Sequence, residues 1–118
     1  MVDFAYKRDV MIEMAKLAIS ILVLDHHKSA KLDLVDLPSN VKVKFDMNKS
    51  GASLACAYYF PDHPVPPMIK HIEDRDLWRF TMPGTREVQA ALFSYPYDFE
   101  LWTELLFRSE PECLISDG

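Results

Sequence analysis

Ile19-Ser20-Ile21-Leu22-Val23-Leu24 is a short, nearly continuous apolar run that gives way at once to Asp25-His26-His27-Lys28. A segment of that length with no polar alternation has both faces covered, which is the habit of a strand inside a parallel sheet. Parallel neighbours need crossover connections, so strands and helices should alternate around it. Val2 to Tyr6 is short and β-prone and reads as an earlier strand. From Val10 the apolar residues Val10, Met11, Met14, Ala15 and Ala18 fall at helical spacing. Val41-Lys42-Val43-Lys44-Phe45 alternates and reads as a further strand with one wetter face.

The second half has a different texture. Ser50 is a suitable cap for a helix beginning Gly51-Ala52-Ser53-Leu54, and Pro61, Pro64, Pro66 and Pro67 end that element. Further helices are predicted over Pro67 to Leu77, Thr85 to Ser94 and Phe99 to Phe107, the last two after Pro-containing turns. The expected fold is α/β: a parallel sheet of about three strands flanked by helices, with a helical second half, in a single domain of 118 residues.

Charge and cysteine usage narrow the function classes. Thirteen basic against 18 acidic residues leave a net charge of -5, the wrong sign for broad electrostatic grip on a polynucleotide. A local site for a small phosphate ester or short nucleotide is compatible with it. Cys56 and Cys113 stand far apart without a zinc-type spacing, so neither a disulfide framework nor a zinc site is indicated and a cytoplasmic setting is the default. The N-terminus lacks the basic-then-apolar pattern of a signal peptide. No apolar stretch approaches the roughly 20 residues of a membrane helix.

Chemistry concentrates at Asp25-His26-His27. Side chains at the carboxyl end of a parallel strand leave the core and meet the crevice where open α/β sheets bind ligands. One acid beside two imidazoles supplies a metal ligand, a carboxylate that fixes a tautomer, and a group free to meet substrate. The same three residues also suit a polar loop with no ligand. Asp3 in the first strand and Asp74 in Ile72-Glu73-Asp74-Arg75-Asp76-Leu77-Trp78 are further carboxylates. Mixed carboxylate and imidazole donors suit a divalent ion such as Mn2+, although single acids in charged runs more often serve as solvated surface.

Leu24-Asp25-His26-His27-Lys28-Ser29-Ala30 resembles the motif that names the DHH phosphoesterases, in particular the oligoribonuclease and cyclic-nucleotide phosphodiesterase-like group. Phe45-Asp46-Met47-Asn48-Lys49-Ser50-Gly51-Ala52-Ser53-Leu54-Ala55, Tyr58-Tyr59-Phe60, the segment around Asp74, and Arg86-Glu87-Val88-Gln89-Ala90-Ala91-Leu92 follow in the order of that group, weakening after about Phe107. The resemblance implies two Mn2+ ions and attack of water on a phosphoester, as in two-metal in-line displacement. It implies Asp3, His26 and Asp74 as metal ligands, with Asp76 an alternative to Asp74. His27 would face the substrate phosphate and Asp25 would support it, these two forming the catalytic pair. Ser50 and Gly51 open a helix whose N–H groups suit a phosphate, or form an ordinary cap and turn.

Against the family pattern, the Asp-x-Asp strand expected before Asp3 and the separate C-terminal substrate domain are missing from the sequence. The expectation is therefore an N-terminally truncated domain with an incomplete two-Mn site, holding one ion weakly, and little or no phosphodiester hydrolysis alone. The alternative is a non-catalytic interaction or oligomerisation module that keeps the fold. A missing strand would expose a sheet edge at Val2 to Tyr6 or Ile19 to Leu24, and a homo-oligomer would cover it.

Overall fold

A computed structural model describes residues 1–107 and 110–117. The chain divides into two compact units, Met1–Phe60 and Pro61–Gly118. The first is mixed α/β and the second is helical, with seven helices in all among the described residues. None of these helices is long and apolar enough to cross a membrane.

In the first unit, β1 (Ile21–Asp25) and β2 (Val41–Phe45) pair in parallel, from Ile21 opposite Val41 to Asp25 opposite Phe45. Val23, Leu24 and Asp25 are buried consecutively, as a strand covered on both faces requires. In β2 the exposed Lys42 and Lys44 alternate with half-buried Val41, Val43 and Phe45. Helix α1 (Arg8–Leu17) precedes β1, α2 (Lys28–Asp33) lies in the crossover between the strands, and α3 (Gly51–Tyr59) follows β2. Met11 of α1, Val23 of β1 and Leu34 after α2 form the core of this unit. Polar links fix the connections: Arg8 donates from Nε and a terminal guanidinium nitrogen to the carbonyls of Val35 and Asp36, and Asn40 donates to the carbonyls of Ala15 and Ala18 at the end of α1.

The first strand expected over Val2 to Tyr6 shrinks to one isolated parallel bridge between Val2 and Leu24. Asp3 takes φ 67°, the left-handed region, which ends extended structure there. The sheet is thus two-stranded with a one-residue fringe rather than three-stranded. Its buried strand is not an open edge, because Leu24 donates to the Met1 carbonyl and accepts from the Asp3 N–H, both at 2.9 Å, on the side away from β2. The α2 turn has no clear signal in the sequence: none of its residues is buried.

The second unit contains α4 (Pro67–Asp76), α5 (Thr85–Ser94), α6 (Phe99–Phe107) and α7 (Pro111–Asp117). Met68, Val88, Ala91, Leu92, Leu105 and Leu114, one or more from each helix, are its buried core. Pro67 stands in the first turn of α4, where its missing N–H costs nothing, and Gly84 at φ 84° makes the left-handed turn into α5. Helix α7 is not anticipated by the sequence pattern.

Candidate metal centre

Asp25 is the last residue of β1 and only 1% exposed, so the strand register carries a carboxyl group into the interior at the sheet's carboxyl end. Its Oδ1 accepts the His26 backbone N–H at 2.8 Å and meets His27 Nδ1 at 2.7 Å. With Asp25 ionised, that contact places the His27 proton on Nδ1 and leaves the lone pair on Nε2. The other oxygen, Asp25 Oδ2, is buried and has no hydrogen-bond partner. A buried carboxylate oxygen without a donor forfeits solvation worth about 1–3 kcal/mol or more, so a cation or a buried water is its natural complement.

Asp3 reaches the same place from the N-terminal fringe. Its Oδ1 lies 2.8 Å from His26 Nε2, the His26 side chain being 9% exposed and that of Asp3 55%. The two imidazole rings sit beside each other with centroids 4.4 Å apart. One donor atom each from Asp3, Asp25, His26 and His27 falls within 4.8 Å of all the others. Ligands across an ion held at about 2.0–2.5 Å lie about 4–5 Å apart, so this spread accommodates one divalent ion with at most a small contraction. Two carboxyl groups and two imidazoles are donor types that a divalent ion accepts together.

Gly51 makes the position of Asp3 possible. A Cβ at Gly51 would lie 2.5 Å from Asp3 Cβ, 2.9 Å from its Oδ1 and 3.0 Å from its Cα. The N-terminus of α3, expected to receive a phosphate at Ser50 and Gly51, therefore has the Asp3 carboxylate against it, an arrangement its dipole favours. Ser50 is 1% exposed and its hydroxyl oxygen caps the helix by accepting the Ser53 N–H at 3.1 Å. Of the two readings of these residues, the cap is directly observed.

Asp74 has a different environment, inside the second unit. Its Oδ1 accepts the Thr81 N–H and hydroxyl, both at 3.0 Å, and its Oδ2 accepts the Met82 N–H at 3.0 Å and the Thr85 hydroxyl at 2.6 Å. Burial alone would raise its pKa, but the donors from Thr85, Thr81 and Met82 outweigh it and hold the carboxyl at about 2. These contacts pin a turn in which Trp78 and Phe80 both have positive φ. The cluster of four comprises neither Asp74 nor Asp76. The network extends to His71, whose Nδ1 is 2.9 Å from the Thr85 oxygen; the Thr85 hydrogen is directed to Asp74, so His71 must donate. Burial lowers the His71 pKa, with Asp74 and Glu112 pulling the other way. Sequence reading misses this His71–Thr85–Asp74 chain, for which the one available signal is a threonine placed to open α5.

No family model matches the chain, and no solved structure matches it. Among curated proteins it is similar to the uncharacterized protein R106 of Acanthamoeba polyphaga mimivirus, 38% identical over 106 residues. The match covers 90% of this chain and 25% of the relative, so the chain spans about a quarter of the length of the protein it resembles.

Proposed function

We propose that the first unit holds a divalent-cation centre of the DHH phosphoesterase kind, in which Asp3, Asp25, His26 and His27 bind one Mn2+-class ion and a phosphoester is the class of ligand. The observation that carries this is the convergence of one donor atom each from Asp3, Asp25, His26 and His27 within 4.8 Å of one another, on a buried carboxyl group whose Oδ2 has no hydrogen-bond partner. The ordered resemblance from Leu24 to Leu92 supports the same chemistry. Asp25, a supporting acid by the resemblance, is in this reading a direct ligand as well, while its Oδ1 orients His27. Asp74 is assigned to its own turn rather than to the ion, because both its oxygens are already used.

The ion would supply Lewis-acid polarisation of a phosphoryl oxygen. The chain's own residues hold and orient: Asp25 sets the His27 tautomer, Asp3 restrains His26, and α3 stabilises the negative charge of Asp3. Four donors within one small sphere fit one ion better than a two-ion clamp with centres about 3.5–4 Å apart. Hydrolysis of a chromogenic bis-phosphoester in Mn2+ should therefore be slow or undetectable; fast turnover abolished by His26→Ala would show a fuller centre than proposed. The direct test is calorimetric titration of Mn2+ into the full chain, followed by electron paramagnetic resonance. One ion should bind, and Asp3→Asn and His26→Ala should each weaken it at least tenfold. Failure to bind at millimolar Mn2+, or affinity unchanged in both variants, overturns the assignment.

A further inference from the structure

The far side of β1 is closed by the Met1–Asp3 fringe, whereas nothing among the described residues pairs with the far side of β2. In a parallel ladder alternate residues turn their N–H and C=O groups to the same neighbour. Asn40 accepts from Ile21 and Asp46 donates to Asp25, so the even-numbered residues of this stretch serve β1. The N–H groups of Val43 and Phe45 and the carbonyls of Val41 and Val43 therefore face outward, and none of the four has a hydrogen-bond partner among the described residues. The result is a five-residue edge open to another strand. A groove of about 450 Å³ adjoins it, with Val43, Lys44 and Phe45 of the strand and Leu54, Ala57 and Tyr58 of α3 in its walls, so room for an added strand's side chains is already present.

We infer that this edge takes up an extended protein segment by strand addition, one in which two acidic residues alternate with apolar ones. Lys42 and Lys44 stand on one face of β2, about 6.6 Å apart along the strand. Both are exposed, and neither is in an ion pair among the described residues. Lys44 Nζ is held 4.8 Å over the centroid of the Tyr58 ring, which keeps an ammonium at the groove. Acidic residues two apart on an added strand fall opposite the two lysines, where opposite charges stabilise a cross-strand pair. On the other face Val41, Val43 and Phe45 are half-buried against the core around Met11 and Val23, and apolar residues of the added strand would continue that layer. A second copy of β2 does not fit. Two-fold antiparallel pairing centred on Val43 sets Lys42 of each copy against Lys44 of the other, and like charges directly opposite are destabilising. Lysines on an edge commonly guard it against self-pairing. Here the guard also selects, because the charge that repels a basic strand attracts an acidic one. The edge needs no ion, so this inference is independent of the metal reading.

The test titrates the full chain with the acetylated, amidated peptide Thr-Val-Glu-Val-Glu-Val-Thr while backbone amide resonances and hydrogen exchange are followed. Saturable shifts along Val41–Phe45 are expected, with slowed exchange at the Val43 and Phe45 amides, which a merely electrostatic encounter would leave unprotected. Replacing both glutamates of the peptide by glutamine should weaken binding about fivefold, the effect of losing two cross-strand charge pairs. The peptide with lysines in their place should not bind. In the chain, Lys42→Glu with Lys44→Glu should invert the preference, so that the lysine peptide binds better than the glutamate one. N-methylation of alternate peptide amides should abolish binding in one phase and spare it in the other, because only one phase turns its N–H groups to β2. Both lysines are exposed, and unchanged far-ultraviolet circular dichroism confirms that the double variant folds. Absence of saturable binding at millimolar peptide, equal affinity for the three peptides, a preference unchanged by the charge reversal, or shifts without protection at Val43 and Phe45 overturns the inference. Protection of those two amides by self-association, without any peptide, overturns it in favour of a second copy.

Discussion

Gly51→Ala tests the link between fold and site most directly. The added methyl would stand 2.5 Å from the Asp3 β-carbon and 3.0 Å from its α-carbon, so the obstacle is backbone and not merely a movable side-chain tip. Overpacking of this kind costs about 1–3 kcal/mol. Alanine returns less than about 1 kcal/mol of helix propensity, because the position is in the first turn of α3. A net loss of about 1–2 kcal/mol follows, together with weaker Mn2+ binding as Asp3 is displaced from His26. In an Asp3→Gly background the clashes with the β-carbon and the carboxylate vanish and only the backbone of residue 3 still crowds the methyl. The Gly51→Ala penalty should then fall by about half or more, a coupling that a double-mutant cycle isolates. Asp3→Gly also removes the strain of a non-glycine residue at φ 67°. Both tryptophans, Trp78 and Trp102, belong to the second unit, so the measurement should be native-state hydrogen exchange at the Val23 and Leu24 amides rather than fluorescence. Equal stability and equal Mn2+ affinity in Gly51→Ala would refute the close approach of Asp3 and the role built on it.

Two further outcomes concern the second unit, where tryptophan fluorescence is the natural probe. The Asp74 carboxyl is held at about 2, below its ordinary 3.8, so its stabilising effect is fully present above about pH 4 and is lost as pH falls through about 2; after allowance for solvent screening it amounts to about 1–2 kcal/mol. Asp74→Asn should flatten that part of the acid-unfolding profile, and an unchanged profile would contradict the assignment. Thr85→Val removes a donor from Asp74 and an acceptor from His71 inside the unit, and should cost about 2 kcal/mol by urea unfolding. Thr85→Ser should restore most of it, whereas equal loss in both variants would point to packing of the methyl group instead.

Local pattern made much of the fold legible, and its failures have physical causes. Val23, Leu24 and Asp25 are buried in succession because β1 has neighbours on both sides, which is the condition that an unalternating apolar run encodes. Val41–Phe45 shows its wet face in Lys42 and Lys44, and its observed bounds coincide with the alternating segment. Val2 to Tyr6 has the composition of a strand, yet extended structure there depends on Asp3, and Asp3 is fixed in a left-handed conformation by contacts with residues remote in sequence. Helix α2 buries none of its side chains, so no apolar stripe exists to announce it. Such a turn is set by the need to cross back to a parallel strand and not by its own residues.

The candidate site divides along the same line. Asp25-His26-His27 is contiguous and falls at the end of a readable strand, so its place at the carboxyl end of β1 follows from pattern alone. The addition of Asp3 to it depends on Gly51, whose lack of a side chain has meaning only once α3 is folded against the N-terminal fringe. Asp74 shows the converse. In sequence it stands in a charged run with nothing to separate a metal ligand from a structural acid, and what separates them is the number of donors that folding brings to each carboxylate. Asp74 receives four, from Thr81, Met82 and Thr85, which hold it ionised without any cation. Asp25 receives its donors on one oxygen and leaves the other buried and bare. The same residue type thus meets two environments: the carboxylate with four donors organises a turn, and the one with a bare buried oxygen is the one we propose as a cation ligand.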